Sequence, residues 1–427
     1  MPIPVLVRSR DTVRMARYKT YLDYYEGRQG LVARGDRGST VQPVSPRRSR
    51  SLVFNYARAV VEKGASYLVT EHKPVVDPAG GELATTAQAE LDAVWKSNDL
   101  ARLDFETEVD TAVLGDGAFK VVWDDQTERV VVTAPDVQGL YVWCVGDDIR
   151  RLWRVVSCYS VEADQVETLF GSKAVTTKRS GDLVPVHECW TADEVQIYVN
   201  EIPVRVERNP YGAIPYVVYP NLPRPKEFWG SSDIESLTEP LDELNRAFSQ
   251  LSRILELSGN PIAVLENVEG SERIEVQPGA TWELPQDAKA YLLDLLQGGG
   301  VRLHVDYVGL VYQALHDMAE LPRIAFGESQ GVRSGVSFAF ELDPLLRRVA
   351  RKRLIRTAAL VQRDQLILRV LGHHTGRDFS SVDTDIEWAP VFTRDETGML
   401  VSGGWEVAPS SDAAAPVAEQ GEPEQAA

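Results

Sequence analysis

The sequence lacks long apolar runs and contains few cysteines. No stretch of its 427 residues approaches the roughly 18 consecutive apolar residues of a membrane-spanning helix. The apolar run near the N-terminus is too short for a signal peptide. The three cysteines, Cys144, Cys158 and Cys189, are an odd number at long spacings, which argues against a disulfide framework and a zinc site. We therefore expect a cytosolic protein that does not contact a membrane.

Sequence motifs for catalysis are also missing. The segment 327–331 contains glycines but no Gly-Lys-Ser/Thr sequence that could hold a triphosphate. Acidic pairs such as Asp147 with Asp148, and Asp383 with Asp385, could bind Mg²⁺ in a nuclease. With 63 acidic residues in the chain, however, such pairs arise by chance. We predict no catalytic residue, no metal and no cofactor, and a metal-dependent enzyme acting on nucleic acid is the alternative.

Positive charge is scarce relative to negative charge. The chain has 45 lysines and arginines against 63 acidic residues, a formal net charge of −18. A protein that holds DNA statically neutralises phosphates with Lys and Arg, so this balance argues against a sequence-reading DNA-binding protein. An acidic wall repels phosphates and would still let DNA pass without sticking.

The pattern of apolar residues predicts an α+β protein with an antiparallel sheet. Helical spacing is found in four N-terminal segments, 10–26, 54–70, 84–97 and 100–114. From Ala118 to about Tyr219 the pattern changes to short runs of β-branched and aromatic residues, interrupted by a short helix near 162–170. The sheet is therefore expected in the middle of the chain.

Two later helices, near 232–258 and 301–321, carry narrow apolar stripes around a small β-containing insert. Ser232 and Glu235 fit a capping box, and Pro240 is expected to kink the first helix. Such stripes fit either one monomeric core or helices that pack against neighbours in an assembly. The residues that we assign to this seam are Leu241, Leu244, Phe248, Leu251, Val305, Val308 and Tyr312.

A further long helix is predicted to begin at Asp343 and Pro344, which fit an N-cap followed by a first-turn proline, and to end at Gly372. Its first half is unusually basic for so acidic a chain. This patch either pairs with acidic residues of a neighbouring element or contacts DNA phosphates or a neighbouring subunit. The patch comprises Arg347, Arg348, Arg351, Lys352 and Arg353.

Several short motifs occur in a characteristic order from Asn209 onward. A Gly-x-Ile-Pro sequence at 212–215 precedes a Gly-x-Ser-Asp-Ile sequence at 230–234, then Asp242 and Asn245 on the first striped helix. Leu321-Pro322 and Ser334-Gly335 follow before the basic helix. In this order the chain resembles the portal proteins of long-tailed, siphovirus-type bacteriophages. Pro240 and the polar C-terminal tail depart from the family pattern.

The resemblance implies a ring, usually of twelve subunits, at one capsid vertex of the virion, assembled in the host cytoplasm. Double-stranded DNA would be packaged and ejected through it without sequence specificity. The implied partners are other copies of the chain, the terminase large subunit, the major capsid and scaffolding proteins, and a head-completion or adaptor protein. Another structural head or adaptor protein is the alternative within the virion.

The resemblance also implies a portal fold with an α/β wing, a helical stem, a clip and a long wing helix, and a crown that is reduced or absent here. The expected divisions are wing 1–230, first stem helix 231–259, clip 260–300, second stem helix 301–321, tunnel loop 322–336, long helix and wing return 337–401, and a disordered tail 402–427. The tunnel-loop residues expected to face DNA are Ser329, Gln330, Gly331, Val332, Arg333 and Ser334.

Overall fold

The computed structural model describes residues 9–29, 52–171, 181–259, 262–266, 289–293, 300–327, 335–394 and 400–402. Over these residues the chain mixes helices with antiparallel sheets, which confirms the α+β class. The predicted C-terminal tail lies outside the described residues from 403 onward.

All four helices predicted in the N-terminal part form, each within a few residues of its predicted range. The side chain of Asn55 accepts a hydrogen bond from the Arg58 amide and so caps the second of them. Gly115, at φ 97°, ends the fourth, because glycine adopts this left-handed conformation without strain. These helices are α1 (Ser9–Tyr25), α2 (Tyr56–Leu68), α3 (Gly81–Ser97) and α4 (Leu100–Leu114).

The middle of the chain is antiparallel β-structure, as predicted, but it forms two sheets where one was expected. A three-stranded sheet has the order β3-β2-β9 and a five-stranded sheet the order β4-β5-β6-β7-β8. Helix α5 (Ala163–Phe170) lies between β5 and β6 in the chain. The strands are β2 (Asp116–Asp124), β3 (Arg129–Thr133), β4 (Leu140–Val145), β5 (Asp148–Glu162), β6 (Leu183–Trp190), β7 (Glu194–Val199), β8 (Ile202–Arg208) and β9 (Tyr216–Pro220).

Two apolar cores hold these elements together. The first contains α1, α2, the inner face of the five-stranded sheet and residues 234–247. The second contains α3, the three-stranded sheet and the second half of a long C-terminal helix. A two-stranded sheet joins β1 (His72–Val76) to β12 (Thr384–Trp388), and β13 (Phe392–Arg394) pairs with β14 (Leu400–Ser402).

A pair of helices, α6 (Thr238–Gly259) and α7 (Gly300–Ala319), forms a hairpin with the paired strands β10 (Ile262–Glu266) and β11 (Lys289–Leu293) between them. The first helix begins six residues later than predicted, after a 3₁₀ turn at Glu235–Leu237. Pro240 is therefore the third residue of α6, where a missing N–H removes no intrahelical bond, so the predicted kink has no cause. Sequence reasoning did not identify β11.

The long basic helix, α8 (Gly335–Thr375), has 41 residues and is about 60 Å long. The prediction that it begins at Asp343 and Pro344 is wrong, because Pro344 lies inside it. The φ angle of proline suits a helix, so its effect there is confined to one lost hydrogen bond and a local clash. Leu342 and Leu345, at 1% and 0% exposure, pack into the first core on either side and hold the helix continuous.

Candidate functional site

The seam of the α6–α7 hairpin closes mainly within one chain. Leu241, Leu244 and Val308 are buried at 1%, 0% and 8% exposure. Phe248, Leu251 and Tyr312 are half-buried, whereas Val305 is exposed. Of the seven predicted seam residues, those nearest the body therefore belong to the subunit's own core. The sequence alternative of a monomeric core describes this end of the hairpin.

Residues 52–56 lie across the hairpin near the body, which the sequence did not indicate. The Phe54 ring is 4.6 Å from that of Phe248, and the Tyr56 ring is 5.3 Å from that of Tyr312. The Phe54 amide also donates to Oδ1 of Asn245 at 2.8 Å. These contacts fix both helices against the N-terminal part of the chain.

The segment before α6 is tied to the body by Ser232. Its hydroxyl lies 2.6 Å from the Val113 carbonyl oxygen at the end of α4 and accepts from the Ile234 amide. The predicted capping box is wrong, because the Glu235 carboxylate binds the Arg224 guanidinium instead. A charge-assisted contact with a guanidinium is stronger than a bond to one neutral amide.

Asp233 is the centre of the junction between the hairpin and α8. Its Oδ2 lies 2.7 Å from Nζ of Lys352 and 2.7 Å from a guanidinium nitrogen of Arg348, and its Oδ1 accepts from Asn221 at 2.9 Å. Burial acts to raise the pKa of Asp233, but the charges of Arg348 and Lys352 and the hydrogen bonds of Lys352 and Asn221 hold it well below its usual range. Asp233 is therefore a buried, ionised anchor for two cations.

Arg348 joins α8, the end of α7 and the segment that precedes α6. Besides Asp233, its guanidinium donates to the Ala319 carbonyl oxygen at the C-terminal end of α7. Cations and donors at a helix C-terminus satisfy carbonyl groups that have no intrahelical partner. The start of the hairpin, its end and the long helix α8 therefore meet at one side chain.

The same arrangement continues along α8. Glu108 of α4 accepts from Arg356 at 2.6 Å and lies 3.4 Å from Nζ of Lys352. Asp104 binds Arg363 and lies 2.8 Å from Nε2 of His72. We call the whole set the buried charge cluster; its members, all less than 9% exposed, are Asp104, Glu108, Asp233, Arg348, Lys352, Arg356, Arg363 and Asp364.

The predicted basic patch is not a continuous surface. Arg348 and Lys352 are 6% and 3% exposed and pair within the chain, as the alternative of acidic neighbours anticipated. Arg353 is half-buried and donates to Thr70 at 2.6 Å. Only Arg347 and Arg351 are exposed, and each touches an acidic residue, Asp343 and Glu320 respectively.

Sequence reasoning missed the buried partners of these cations. The signal that could have revealed them is the spacing of Arg348, Lys352 and Arg356, four residues apart, which places them on one face of the helix. Leu345 and Val349, both buried, lie on that same face. Cations on the apolar face of a helix predict buried acidic partners rather than a solvated surface.

The six residues predicted to face DNA, Ser329, Gln330, Gly331, Val332, Arg333 and Ser334, lie outside the described residues. On their N-terminal side the structure has a 3₁₀ turn at Arg323–Phe326. Nδ1 of the buried His316 lies 2.7 Å from the Leu321 carbonyl oxygen just before that turn. The residues that lead into this segment, 321–326, are thus held against the end of α7.

The two acidic pairs considered for Mg²⁺ binding do not belong to a larger group of metal-binding side chains among the described residues. Asp147, Asp148, Asp383 and Asp385 are exposed. Within the part of the chain that the structure describes, no group of three or more His, Cys, Asp or Glu side chains is placed to hold a metal ion. In that same part, no helix is both long and apolar enough to cross a membrane.

Comparison with known families then decides what kind of protein this is. Residues 7–398 match the family model for phage portal protein, SPP1 Gp6-like. The chain belongs to this portal family. No curated protein matches it significantly. Membership establishes a phage portal role at the capsid vertex, in a family whose members form homo-oligomeric rings with capsid and packaging partners.

Proposed function

We propose that this portal is the ring-shaped channel through which double-stranded DNA is packaged into the capsid and later ejected. The observation that carries the proposal is the α6–α7 hairpin, which leaves an α+β body and has a small strand pair, β10–β11, between its helices. In a ring, the hairpins would stand side by side as a stem. The body would form the wing from residues 1–230 and 337–401.

Residues 260–300, which include β10 and β11, would form the clip. We propose that the terminase large subunit binds this clip first and that a head-completion or adaptor protein binds it later. The major capsid and scaffolding proteins would surround the body. The chain has no phosphate-binding glycine motif, so the energy for DNA movement would come from the separate motor protein. Twelve copies are the expected number in the virion.

The charge distribution supports a passive conduit. With a formal charge of −18 per copy, the wall would repel DNA and not hold it. Residues 329–334 of the tunnel loop, 322–336, are proposed to touch DNA weakly. The exposed cations Arg347 and Arg351 are each beside a carboxylate, which reduces their attraction to phosphates.

Electron-microscopy class averages of the purified full-length protein test this proposal. We expect rings with an open central channel, either from the protein alone or after co-expression with capsid and scaffolding proteins. Monomers under both conditions would overturn the proposal. Closed particles without a bore would instead indicate another structural head protein, and Mg²⁺-dependent DNA cleavage that Asp383→Ala and Asp385→Ala abolish would indicate the nuclease alternative.

A further inference from the structure

Helix α7 carries an unusual number of exposed apolar side chains. Leu303 and Leu310 are 72% and 66% exposed, and Val305, Tyr307 and Met318 are between 41% and 51% exposed. No other helix within the described ranges has more than two large apolar residues as exposed as these. Exposed apolar side chains scattered singly are normal, but a concentration on one helix marks an interaction surface.

Four of these side chains form one stripe. At about 100° per residue, Leu303, Tyr307, Leu310 and Met318 fall within a sector of about 80° on the helix surface. We call this stripe the α7 outer face. The stripe is centred about 120° around the helix from Val308, Leu315 and Ala319, which are buried at 8%, 0% and 1% exposure. Helix α7 therefore has two apolar faces. Its own chain buries one of them and reaches the other at Tyr307, whose hydroxyl donates to Glu243 of α6 at 2.7 Å.

The neighbouring helix does not share this property. Apart from Leu255, which is 53% exposed, the exposed side chains of α6 are polar and include Asp242, Arg246, Gln250, Arg253 and Glu256. Arg246, for example, pairs with Glu243 on the surface. The outward side of α6 is thus suited to water, whereas the α7 outer face is suited to burial against another surface.

We propose that the α7 outer face packs against a neighbouring copy of this chain in the ring. This inference rests on the proposed function and adds the surface that makes the contact. DNA is a poor occupant, because apolar side chains cannot neutralise phosphates and the exposed Asp306 and Asp317 beside the stripe repel them. A ring uses head-to-tail contacts, so the stripe meets a different surface of its neighbour.

The predicted seam and the α7 outer face therefore have separate roles. Seam residues such as Leu244 and Val308 join α6 to α7 within one subunit. Leu303 and Leu310, seven residues apart on the α7 outer face, join that subunit to the next. The apolar stripes that the sequence analysis identified therefore correspond to the contact between α6 and α7 within one subunit, and not to the contact between subunits.

The double variant Leu303→Glu with Leu310→Glu tests the assignment in the full-length chain. Gln250→Glu with Ser252→Glu is the matched control, since it adds the same charge to exposed positions of α6. Mass photometry at equal concentrations should show about tenfold or greater loss of rings for the α7 variant and no loss for the control. Circular dichroism of both variants should match the wild-type spectrum.

If wild type and both variants form rings equally, the α7 assignment is overturned while the proposed function stands. If wild type forms no rings even with capsid and scaffolding proteins, both fail together. A photo-crosslinking amino acid at position 310 gives a second readout that does not depend on the charged variant folding. It should join two copies of the chain, whereas the same probe at position 250 should not. Crosslinks at 310 that stay within one chain, or that reach only capsid protein, would also overturn the assignment.

Discussion

The junction at Asp233 and the outer face of α7 are opposite in construction. At the junction, charged side chains are inside the protein and each has a partner within the chain. On α7, large leucines are outside, with 72% of Leu303 exposed. The charged junction is completed within one subunit, whereas the α7 outer face is the surface that we propose a second subunit covers.

The largest expected effect comes from breaking the junction. Asp233→Ala leaves Arg348 and Lys352 buried without their shared carboxylate, and an uncompensated buried charge costs about 3–5 kcal/mol of unfolding free energy. Urea unfolding of the unassembled chain measures this loss. The control is Glu320→Ala. Glu320 pairs at the surface with Arg351, which lies about one turn after Arg348 on α8, so its loss should cost less than about 1 kcal/mol of unfolding free energy. Equal losses in the two variants would mean that the cluster is not a special feature of the body.

The second effect separates the two faces of the hairpin. Leu244→Ala opens a cavity at a fully buried position and should lower the unfolding free energy of the unassembled chain by about 2–5 kcal/mol. Leu303→Ala should change it by no more than about 0.5 kcal/mol, because that side chain is mostly in solvent. The same urea titration compares them, and a large loss for Leu303→Ala would show that its face is covered within one subunit.

The smallest effect is a pH dependence at the far end of the buried charge cluster. Burial raises the pKa of Asp364 to about 6, against the opposing charge of Arg363, whereas an unfolded aspartate titrates near about 4. The folded state therefore binds the proton more tightly. This stabilisation is complete below about pH 4 and is lost as the pH rises through about 6.

Asp364→Asn removes that titration. From pH 4 to pH 7 the variant should gain up to about 3 kcal/mol of unfolding free energy relative to wild type, from about two pKa units. Unfolding curves at several pH values measure the difference. Burial also raises the pKa of Asp116 to about 6, but that group is present in both proteins and cancels. Parallel pH curves for the two proteins would contradict the expectation.

Helices and strands could be predicted from the sequence where the local pattern of residue types determines the secondary structure. The N-terminal helices follow a spacing of 3.6 residues, and the sheet region is marked by short runs of β-branched and aromatic residues. Both signals depend on near neighbours alone. The family could be recognised because short motifs such as 212–215 and 230–234 keep their order. Helix starts were predicted less well, since a proline or a serine near a helix does not determine where the helix begins.

The partners of the site residues could not be predicted because they are distant in the chain. Asp233 looked like part of a helix cap, yet its cation Lys352 is 119 residues away. Glu235 likewise binds Arg224 and not a nearby amide. The basic run on α8 showed that charge was concentrated there, but only the packing of α4 beneath it distinguishes buried pairs from a DNA-facing surface.

The spacing of cations along α8 also fixes how that helix sits against the body. If α8 slid by one turn, about 5.4 Å, Asp104 would face Ala359 or Ile367 in place of Arg363 and would have no cation in either direction. In some proteins a buried polar or charged group fixes the register between packed helices, and we expect these pairs to do so here. We therefore expect α8 to move with the body as a rigid rod and not to ratchet along it. A displacement imposed near Gly335 would then be carried through to Thr375, some 60 Å away.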